Sequence, residues 1–304
     1  MLKKIFILFK LGRKLARSDI LTILSKFKKP PLAIKILFQI LSFSFSPPNK
    51  NNLNENEGAK LSKSLQSMGT TFIKLGQFLV TRPDIIGDDL AKQLEGLQDR
   101  LPAFTLTEAK AIIKKDLGDD TFNSIIDLSE PVAAASIAQV HKAKINDNGT
   151  IKDVAIKILR PDIKKVFNEE IDALMLFAFM VESFIKKTKR LKLVEVVFLL
   201  KEITNLEMDL RFEAAAANEY AENTKNDAGF RVPAIYWNFT SENVMTLDWV
   251  EGVSIRETED LQKRNIDTKR IASDVIQHFL RHAVRDGFFH ADMHQGNIFI
   301  DDNG

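Results

Sequence analysis

Apolar residues recur at intervals of three or four positions along much of the chain, a spacing that predicts amphipathic helices. In the body of the protein this pattern begins at residues 58–100, where it runs through Leu61, Leu65, Met68 and Phe72. Gly76 lies inside the pattern, where a glycine costs about 1 kcal/mol relative to alanine. We therefore expect either a close approach of the backbone to another group at Gly76 or an incidental glycine.

Residues that break, cap or end helices divide the first helical region. Arg82-Pro83-Asp84 is expected to break it, and residues 88–97 are expected to resume it. Thr107 is predicted to cap the next helix, over residues 108–117, which Gly118 ends.

A second helical region covers residues 162–227. Its segment 171–185 is almost uniformly apolar, and this length predicts a buried or membrane-apposed helix rather than a membrane span. Residues 194–220 are predicted to form one long helix, on which Asp209 and Glu213 share a face. A further helix is expected over residues 271–286.

Strands are predicted between these helical regions. Residues 131–143 have the pattern of two strands joined by a turn of small residues, namely Ala133, Ala134, Ala135 and Ser136. Asn146-Asp147-Asn148-Gly149 is a hairpin signal, and residues 154–159 form the next strand, which carries Lys157. Residues 232–237 and 243–252 are predicted as two more strands.

Composition places the chain among globular proteins, since 45% of its 304 residues are hydrophobic and 28% are charged. Cysteine is absent, which excludes disulfides and thiolate metal sites. The net charge is only +2, yet residues 1–50 hold eleven Lys and Arg side chains and a single acid, Asp19. Because these basic residues alternate with apolar ones, they favour a membrane surface over nucleic acid.

The basic arm, residues 1–48, is predicted to form two amphipathic helices broken at Pro30-Pro31, and the polar residues 49–57 are expected to be a linker. It lacks the cleavage site of a secretory signal. An interfacial helix and a helix packed on the body are equal alternatives for it.

Candidate chemistry centres on residues 288–300. His290-Ala291-Asp292 is followed by Asn297, five residues after Asp292, with apolar residues on both sides. This is the arrangement of a kinase catalytic loop, in which the aspartate orients or deprotonates the acceptor and the asparagine holds a metal ion on the phosphates. A small-residue turn, a strand lysine, a helical glutamate and a hinge-like strand precede it in the order that a kinase requires.

The remaining histidines are assigned ordinary structural positions. His141 is expected in a strand. His278 and His282 are four residues apart on a helix, which would suit a metal ion, but the sequence shows no third ligand, so no metal site is predicted there.

Several motifs resemble those of the UbiB/ADCK group of atypical protein-kinase-like proteins, which are tied to ubiquinone biosynthesis. Lys74-Leu75-Gly76-Gln77 is similar to the KxGQ motif of that group, and Ala133-Ala134-Ala135-Ser136 to its alanine-rich loop. Glu207-Met208-Asp209 resembles its ExD motif, and His290-Ala291-Asp292 with Asn297 resembles its catalytic loop. The resemblance covers residues 55–304.

This resemblance implies an α+β, protein-kinase-like fold with a small-lobe antiparallel sheet, the start of a helical large lobe and an all-helical N-terminal extension. The expected segments are the arm 1–48, the linker 49–57, the extension 58–127, the small lobe with a helical insertion 128–252, and the start of the large lobe 253–304.

The resemblance also implies residue roles. Lys157 would contact the ATP phosphates and pair with Glu213, Asp292 would be the catalytic aspartate, and Asn297 would bind Mg²⁺. Lys74 and Gln77 would fold over the active site, with Lys74 near Glu207 and Asp209. The ATP-binding residues would be Ala133, Ala134, Ala135, Ser136 and Lys157 with the hinge residues Leu247, Asp248, Trp249 and Val250.

In such proteins the extension occupies the place of a peptide substrate, which favours ATPase activity or a small lipid-like substrate. The leading expectation is thus an ATP- and Mg²⁺-dependent atypical kinase or ATPase that supports ubiquinone biosynthesis at the cytoplasmic face of a bacterial inner membrane, with quinone-biosynthesis enzymes as partners. A nucleotide-binding scaffold without turnover is the alternative. A polyprenylphenol hydroxylase is disfavoured, since the sequence has no GxGxxG, haem-ligating Cys or iron triad.

One departure from the family pattern concerns the aspartate of the Asp-Phe-Gly motif, which the sequence does not contain after Asn297. Asp301 and Asp302 lie on an expected hairpin turn and are poor substitutes. We therefore expect the chain to be a fragment that binds Mg-ATP weakly and has little or no activity.

The charge of the arm gives a testable expectation. Binding to anionic liposomes should weaken with added salt and should disappear when residues 1–46 are removed. Co-sedimentation over a salt series measures both effects, and salt-independent binding would indicate a purely hydrophobic anchor.

Overall fold

The computed structural model describes residues 57–94, 97, 101–184, 186–291, 293 and 296–301. The predicted arm and all but the last residue of the predicted linker lie outside these ranges. The described helices are α1 (Glu57–Met68), α2 (Thr70–Val80), α3 (Pro83–Ile86), α4 (Asp88–Leu94), α5 (Leu106–Asn123), α6 (Ile163–Phe184), α7 (Leu193–Glu207), α8 (Leu210–Thr224), α9 (Thr258–Lys263) and α10 (Thr268–Arg281).

The described strands are β1 (Ile125–Ile126), β2 (Pro131–Ala134), β3 (Ala138–Asp147), β4 (Thr150–Leu159), β5 (Val244–Asp248), β6 (Val253–Ser254) and β7 (Phe299–Ile300). Short 3₁₀ turns cover Lys186–Leu191 and Trp237–Phe239, and a π-helical turn covers His282–Asp286.

The chain divides into two compact units. Of the described residues, the first unit takes those up to 103 together with 134–138 and 159–208, and the second takes 104–133, 139–158 and 209–301. The division into consecutive segments that is expected from the sequence stays a prediction. The helical insertion α6–α7 belongs with the N-terminal helices, and α5 belongs with the sheet.

Helices α1, α2 and α4 bury one apolar side each in the first unit, where Met68, Phe72 and Ile73 are almost fully buried. Gly76 of α2 makes the close approach that was one of the two expectations for it. A Cβ atom there would lie 2.5 Å from Leu97 Cδ2 and 2.9 Å from Leu65 Cδ1. The glycine therefore lets neighbouring side chains pack directly against the backbone of α2.

The apolar segment 171–185 falls mainly on α6, which packs against α7 in the same unit. Ile171, Leu174 and Ala178 are buried, whereas Phe179 is 61% exposed. No helix among the residues that the structure describes is long and apolar enough to cross a membrane.

The second unit is built on an antiparallel sheet in the order β1-β3-β4-β5, with β2 also paired to β3. The hairpin between β3 and β4 turns at Asn148 and Gly149, whose positive φ angles of 52° and 87° suit the two-residue turn that was predicted. Helix α5 covers one face of the sheet and buries Ala109 and Ile113 against strand residues such as Ile156. Strands β6 and β7 pair separately as a two-stranded sheet.

The predicted cap of α5 is wrong by two residues. Thr105, not Thr107, caps the helix, since its hydroxyl accepts from the Glu108 N–H at 3.2 Å while the Glu108 carboxylate accepts from the Thr105 N–H at 2.9 Å. This reciprocal capping box fixes the helix start. Gly118 interrupts the helix with φ 83°, but a further turn follows it up to Asn123.

The strand predicted over residues 232–237 does not form. Only Ile235 makes an isolated bridge, to Leu247, before the 3₁₀ turn begins at Trp237. Pro233 has no N–H to give to a ladder, which explains why the apolar alternation there was misleading. The following strand, β5, pairs with β4 so that Met245 lies opposite Lys157.

The helix predicted over residues 194–220 is two helices. Asp209 has extended backbone angles, φ −124° and ψ 98°, and its carboxylate caps α8 by accepting from the Arg211 N–H at 3.1 Å. Asp209 therefore does not share a helical face with Glu213, as the continuous pattern suggested. A capping aspartate in mid-pattern is the signal for this break.

The capping box gives a prediction with an internal control. Thr105→Ala should lower the free energy of unfolding by about 1 kcal/mol, because it removes the cap of α5. Thr107→Ala changes an exposed residue inside the helix and should have almost no effect. Urea unfolding of the full chain compares them, and a larger loss from Thr107→Ala would contradict the assignment.

Candidate functional site

Lys157 and Glu213 meet in the second unit. Lys157 lies on β4, and Glu213 lies in the first turn of α8, just after the Asp209 cap. The Lys157 Nζ atom lies 2.6 Å from Glu213 Oε1 and 2.7 Å from Oε2, so both carboxylate oxygens accept from one ammonium group. The Lys157 side chain is 26% exposed, so the protein covers it only in part.

The neighbouring strands hold Lys157 firmly. Residues flanking it on β4, Ile156 and Ile158, are fully buried in the core under α5. Helix α8 is tied to the same unit where the Leu210 N–H donates to the Glu242 carbonyl at 3.0 Å. Strand and helix are therefore both held within the second unit by contacts other than the ion pair that joins them.

Two of the predicted hinge residues, Leu247 and Asp248, end β5, and Trp249 and Val250 follow it directly. The Trp249 N–H donates to the Asp153 carbonyl at 3.1 Å, and the Trp249 ring lies 4.7 Å from the Lys142 Nζ atom, a cation–π contact. The Asp248 carboxylate accepts from the Tyr236 hydroxyl at 2.7 Å, and burial, with this hydrogen bond, raises the pKa of Tyr236 to about 12. The side chains of Asp248 and Trp249 therefore make contacts within the protein, and the predicted contact of residues 247–250 with the base stays a prediction.

The predicted catalytic loop is described only in part. Asn297 is exposed and lies two residues before β7, whose Ile300 pairs with Val253. His290 is also exposed. Asp292 lies outside the described residues, so its predicted role stays a prediction.

The first unit brings together two other predicted residues. Lys74 of α2 and Glu207, the last residue of α7, form an ion pair with 2.7 Å between Nζ and Oε2. The Lys74 side chain is only 15% exposed, which makes this pair less screened than a surface pair. Gln77, one turn further along α2, is half-buried.

The predicted small-residue turn joins β2 to β3. Ala133 is exposed, Ala134 and Ala135 are half-buried, and Ser136 is fully buried. The turn is closed by a hydrogen bond from the Ala135 N–H to the Ala138 carbonyl at 2.8 Å.

A polar network that the sequence did not reveal connects α8 to the helix that precedes the catalytic loop. His282 is fully buried, and its Nε2–H donates to Asp227 at 2.9 Å. The other ring nitrogen of His282, Nδ1, lies 2.7 Å from the Tyr220 hydroxyl oxygen and shares a hydrogen bond with it. Arg285 donates to both oxygens of Asp227, at 2.7 and 2.9 Å.

These charges explain the titration of Asp227. The Arg285 guanidinium, followed by the His282 hydrogen bond, lowers the pKa of the Asp227 carboxyl from 3.8 to about 2. Burial raises the pKa of the Tyr220 hydroxyl. The network thus fixes the C-terminal end of the helix that carries Glu213.

The expectation that His278 and His282 lack a third ligand is wrong. Asp227 lies with them, and their ligand atoms fall within 4.8 Å of one another. However, Arg285 already occupies both Asp227 oxygens, and the guanidinium of Arg281 lies 3.9 Å away. Two guanidinium groups oppose a bound cation, so the cluster fits an internal ion-pair network better than a metal centre.

Sequence reasoning missed the residues of the polar network at the end of α8, the helix that carries Glu213. Asp227 precedes Ala228-Gly229 and has the pattern of a turn aspartate, and Tyr220 ends the apolar positions of a helix. Arg285 lies near the end of the helix expected over residues 271–286, where no sequence signal indicates its partner. Only His282 gave a signal in the sequence, as a histidine inside a predicted helix. It was considered there as a possible metal ligand and not as part of a hydrogen-bond network.

The network predicts an acid-sensitive contribution to stability. Because the folded pKa of Asp227 lies below its unfolded value, its contribution is complete above about pH 4 and is lost as the pH falls towards 2. Asp227→Asn should lower the free energy of unfolding at pH 7 by about 1 to 3 kcal/mol. The difference from the parent chain should shrink below pH 4.

Thermal unfolding from pH 2 to 7 measures this difference. Asp260→Asn, which removes an exposed pair with Lys263, is the matched control and should change stability little. A constant difference between Asp227→Asn and the parent chain across this pH range would contradict the assignment.

Comparison with known proteins bears on this geometry. Residues 96–304 match the model of the ABC1 atypical kinase-like domain. A probable protein kinase UbiB of Marinobacter nauticus is 36% identical over 272 residues, which are 89% of this chain and 48% of that protein. One of Glaesserella parasuis is 38% identical over 253 residues, 82% of this chain and 46% of that protein.

A solved structure, the complex of Rv3197 with erythromycin from Mycobacterium tuberculosis, is 26% identical with a TM-score of 0.46. It aligns with 75% of this chain and 55% of that chain. The chain spans about half the length of the curated relatives it matches. The α+β, kinase-like fold expected from the sequence is confirmed. The chain belongs to the family of ABC1 atypical kinase-like domains.

Proposed function

We propose that the chain carries the nucleotide-binding part of a UbiB-type atypical kinase or ATPase that uses ATP and Mg²⁺ and supports ubiquinone biosynthesis. The Lys157–Glu213 ion pair is the observation that carries this proposal. A strand lysine held by a helical glutamate is the arrangement that positions an ammonium group against the phosphates of a bound nucleotide. Family membership and the UbiB relatives support the same class.

The geometry at Lys157 fits a polyphosphate ligand. Glu213 fixes the ammonium from one side with both oxygens, so the remaining N–H can donate to a phosphate oxygen without a search through side-chain rotamers. The exposed fraction of Lys157 leaves room for that ligand. In this proposal the hinge backbone at residues 247–250 meets the base.

The remaining roles rest on residue chemistry. The amide oxygen of Asn297 is the kind of ligand atom that Mg²⁺ prefers, and a bound Mg²⁺ would neutralise phosphate charge. Asp292 would orient the acceptor, and a small quinone-like lipid fits the family resemblance better than a peptide does. We also propose the membrane surface as the place of action, on the strength of the basic, apolar arm at residues 1–48.

Nucleotide affinity tests the proposal. Lys157→Met should weaken Mg-ATP binding to the full chain by roughly tenfold or more, because one charged contact to the phosphates is worth about 1.4 kcal/mol or more. Lys152→Met is the control, since Lys152 is an exposed lysine on the same strand at an odd spacing and therefore on its other face. Equal affinities for the two variants in calorimetric titrations would refute the assignment.

A further inference from the structure

The backbone of the small-residue turn is held by contacts from outside the turn. Three consecutive carbonyl groups, those of Ala135, Ser136 and Ile137, each accept a hydrogen bond from a residue distant in sequence. Turn carbonyls at a protein surface usually bond to water instead. Because all three carbonyl groups are bonded to other parts of the chain, these contacts clamp the turn in place.

Arg160 supplies most of this clamp. Its Nη2 and Nε atoms donate to the Ala135 carbonyl at 2.7 and 3.1 Å, and its backbone N–H donates to the Ile137 carbonyl at 2.8 Å. The same guanidinium donates to the Pro102 carbonyl at 2.8 Å and to the Leu101 carbonyl at 3.2 Å. One side chain therefore ties the turn to the segment that follows the N-terminal helices.

Thr70 supplies the remaining contact. Its hydroxyl donates to the Ser136 carbonyl at 3.0 Å from the first turn of α2, in a buried position. Lys74 follows one helical turn later on α2 and pairs with Glu207. The helix that bears the KxGQ-like motif thus holds both the turn and the end of α7.

We propose that Arg160 and Thr70 are positioning residues that lock the turn between β2 and β3 in a single conformation. The rigidity of the turn then comes from this clamp. A planar group with five donors is required, since a lysine at position 160 could not reach Ala135 and the 101–102 segment together.

Hydrogen–deuterium exchange on the full chain tests the lock without any nucleotide. Arg160→Ala and Thr70→Val should each speed exchange in a peptide covering residues 131–141 by roughly tenfold, as local opening becomes easier. A peptide covering residues 150–158 of β4 should be unchanged. Arg160→Lys should behave as Arg160→Ala, whereas Thr70→Ser, which keeps the hydroxyl, should behave as the parent chain.

Controls separate a local effect from general destabilisation. Arg256→Ala removes an exposed arginine of the second unit and should leave both peptides unchanged. If Arg160→Ala does not fold, the comparison of Thr70→Val with Thr70→Ser decides. Equal exchange in the turn for folded Arg160→Ala and the parent, or for Thr70→Val and Thr70→Ser, would overturn the proposal.

Discussion

The ion pair between Lys157 and Glu213 is the constraint on which the functional geometry depends. Both oxygens of one carboxylate lie within 2.7 Å of a single ammonium, which requires β4 and α8 to be placed within a narrow tolerance. The pair itself, half open to water, contributes little to stability. The surrounding core must therefore supply the energy that holds it.

Two sets of contacts supply that placement. Strand β4 is fixed by its register with β5 and by buried isoleucines against α5. Helix α8 is fixed at both ends, by the Asp209 cap at its start and by the bond from Tyr220 to buried His282 near its end. A polar network at the far end of α8 can thus influence a charged pair at its beginning, because a helix transmits position as a rigid element.

Much of the sheet and of the candidate site could be predicted from the sequence, because local sequence patterns determine these elements. Period-two alternation, the Asn-Gly hairpin and the strand lysine located β2 to β4, and motif order located Lys157 and Glu213. The errors arose where one local signal outweighed another. The capping box at Thr105 prevailed over Thr107, Pro233 prevented a strand, and Asp209 ended a helix that apolar spacing alone would continue. Arg160, Thr70 and Asp227 could not be found, since their partners are distant in sequence and no local pattern indicates which residues they contact.

The most direct test of the central claim is a double-mutant cycle on Mg-ATP affinity with Lys157→Met, Glu213→Gln and the double variant of the full chain. If Glu213 acts by holding Lys157 against the phosphates, the two losses must be non-additive, with the double variant binding about as weakly as Lys157→Met alone. Fully additive losses would contradict the claim that Glu213 acts through Lys157, and unchanged affinity in every variant would contradict a nucleotide site at this pair.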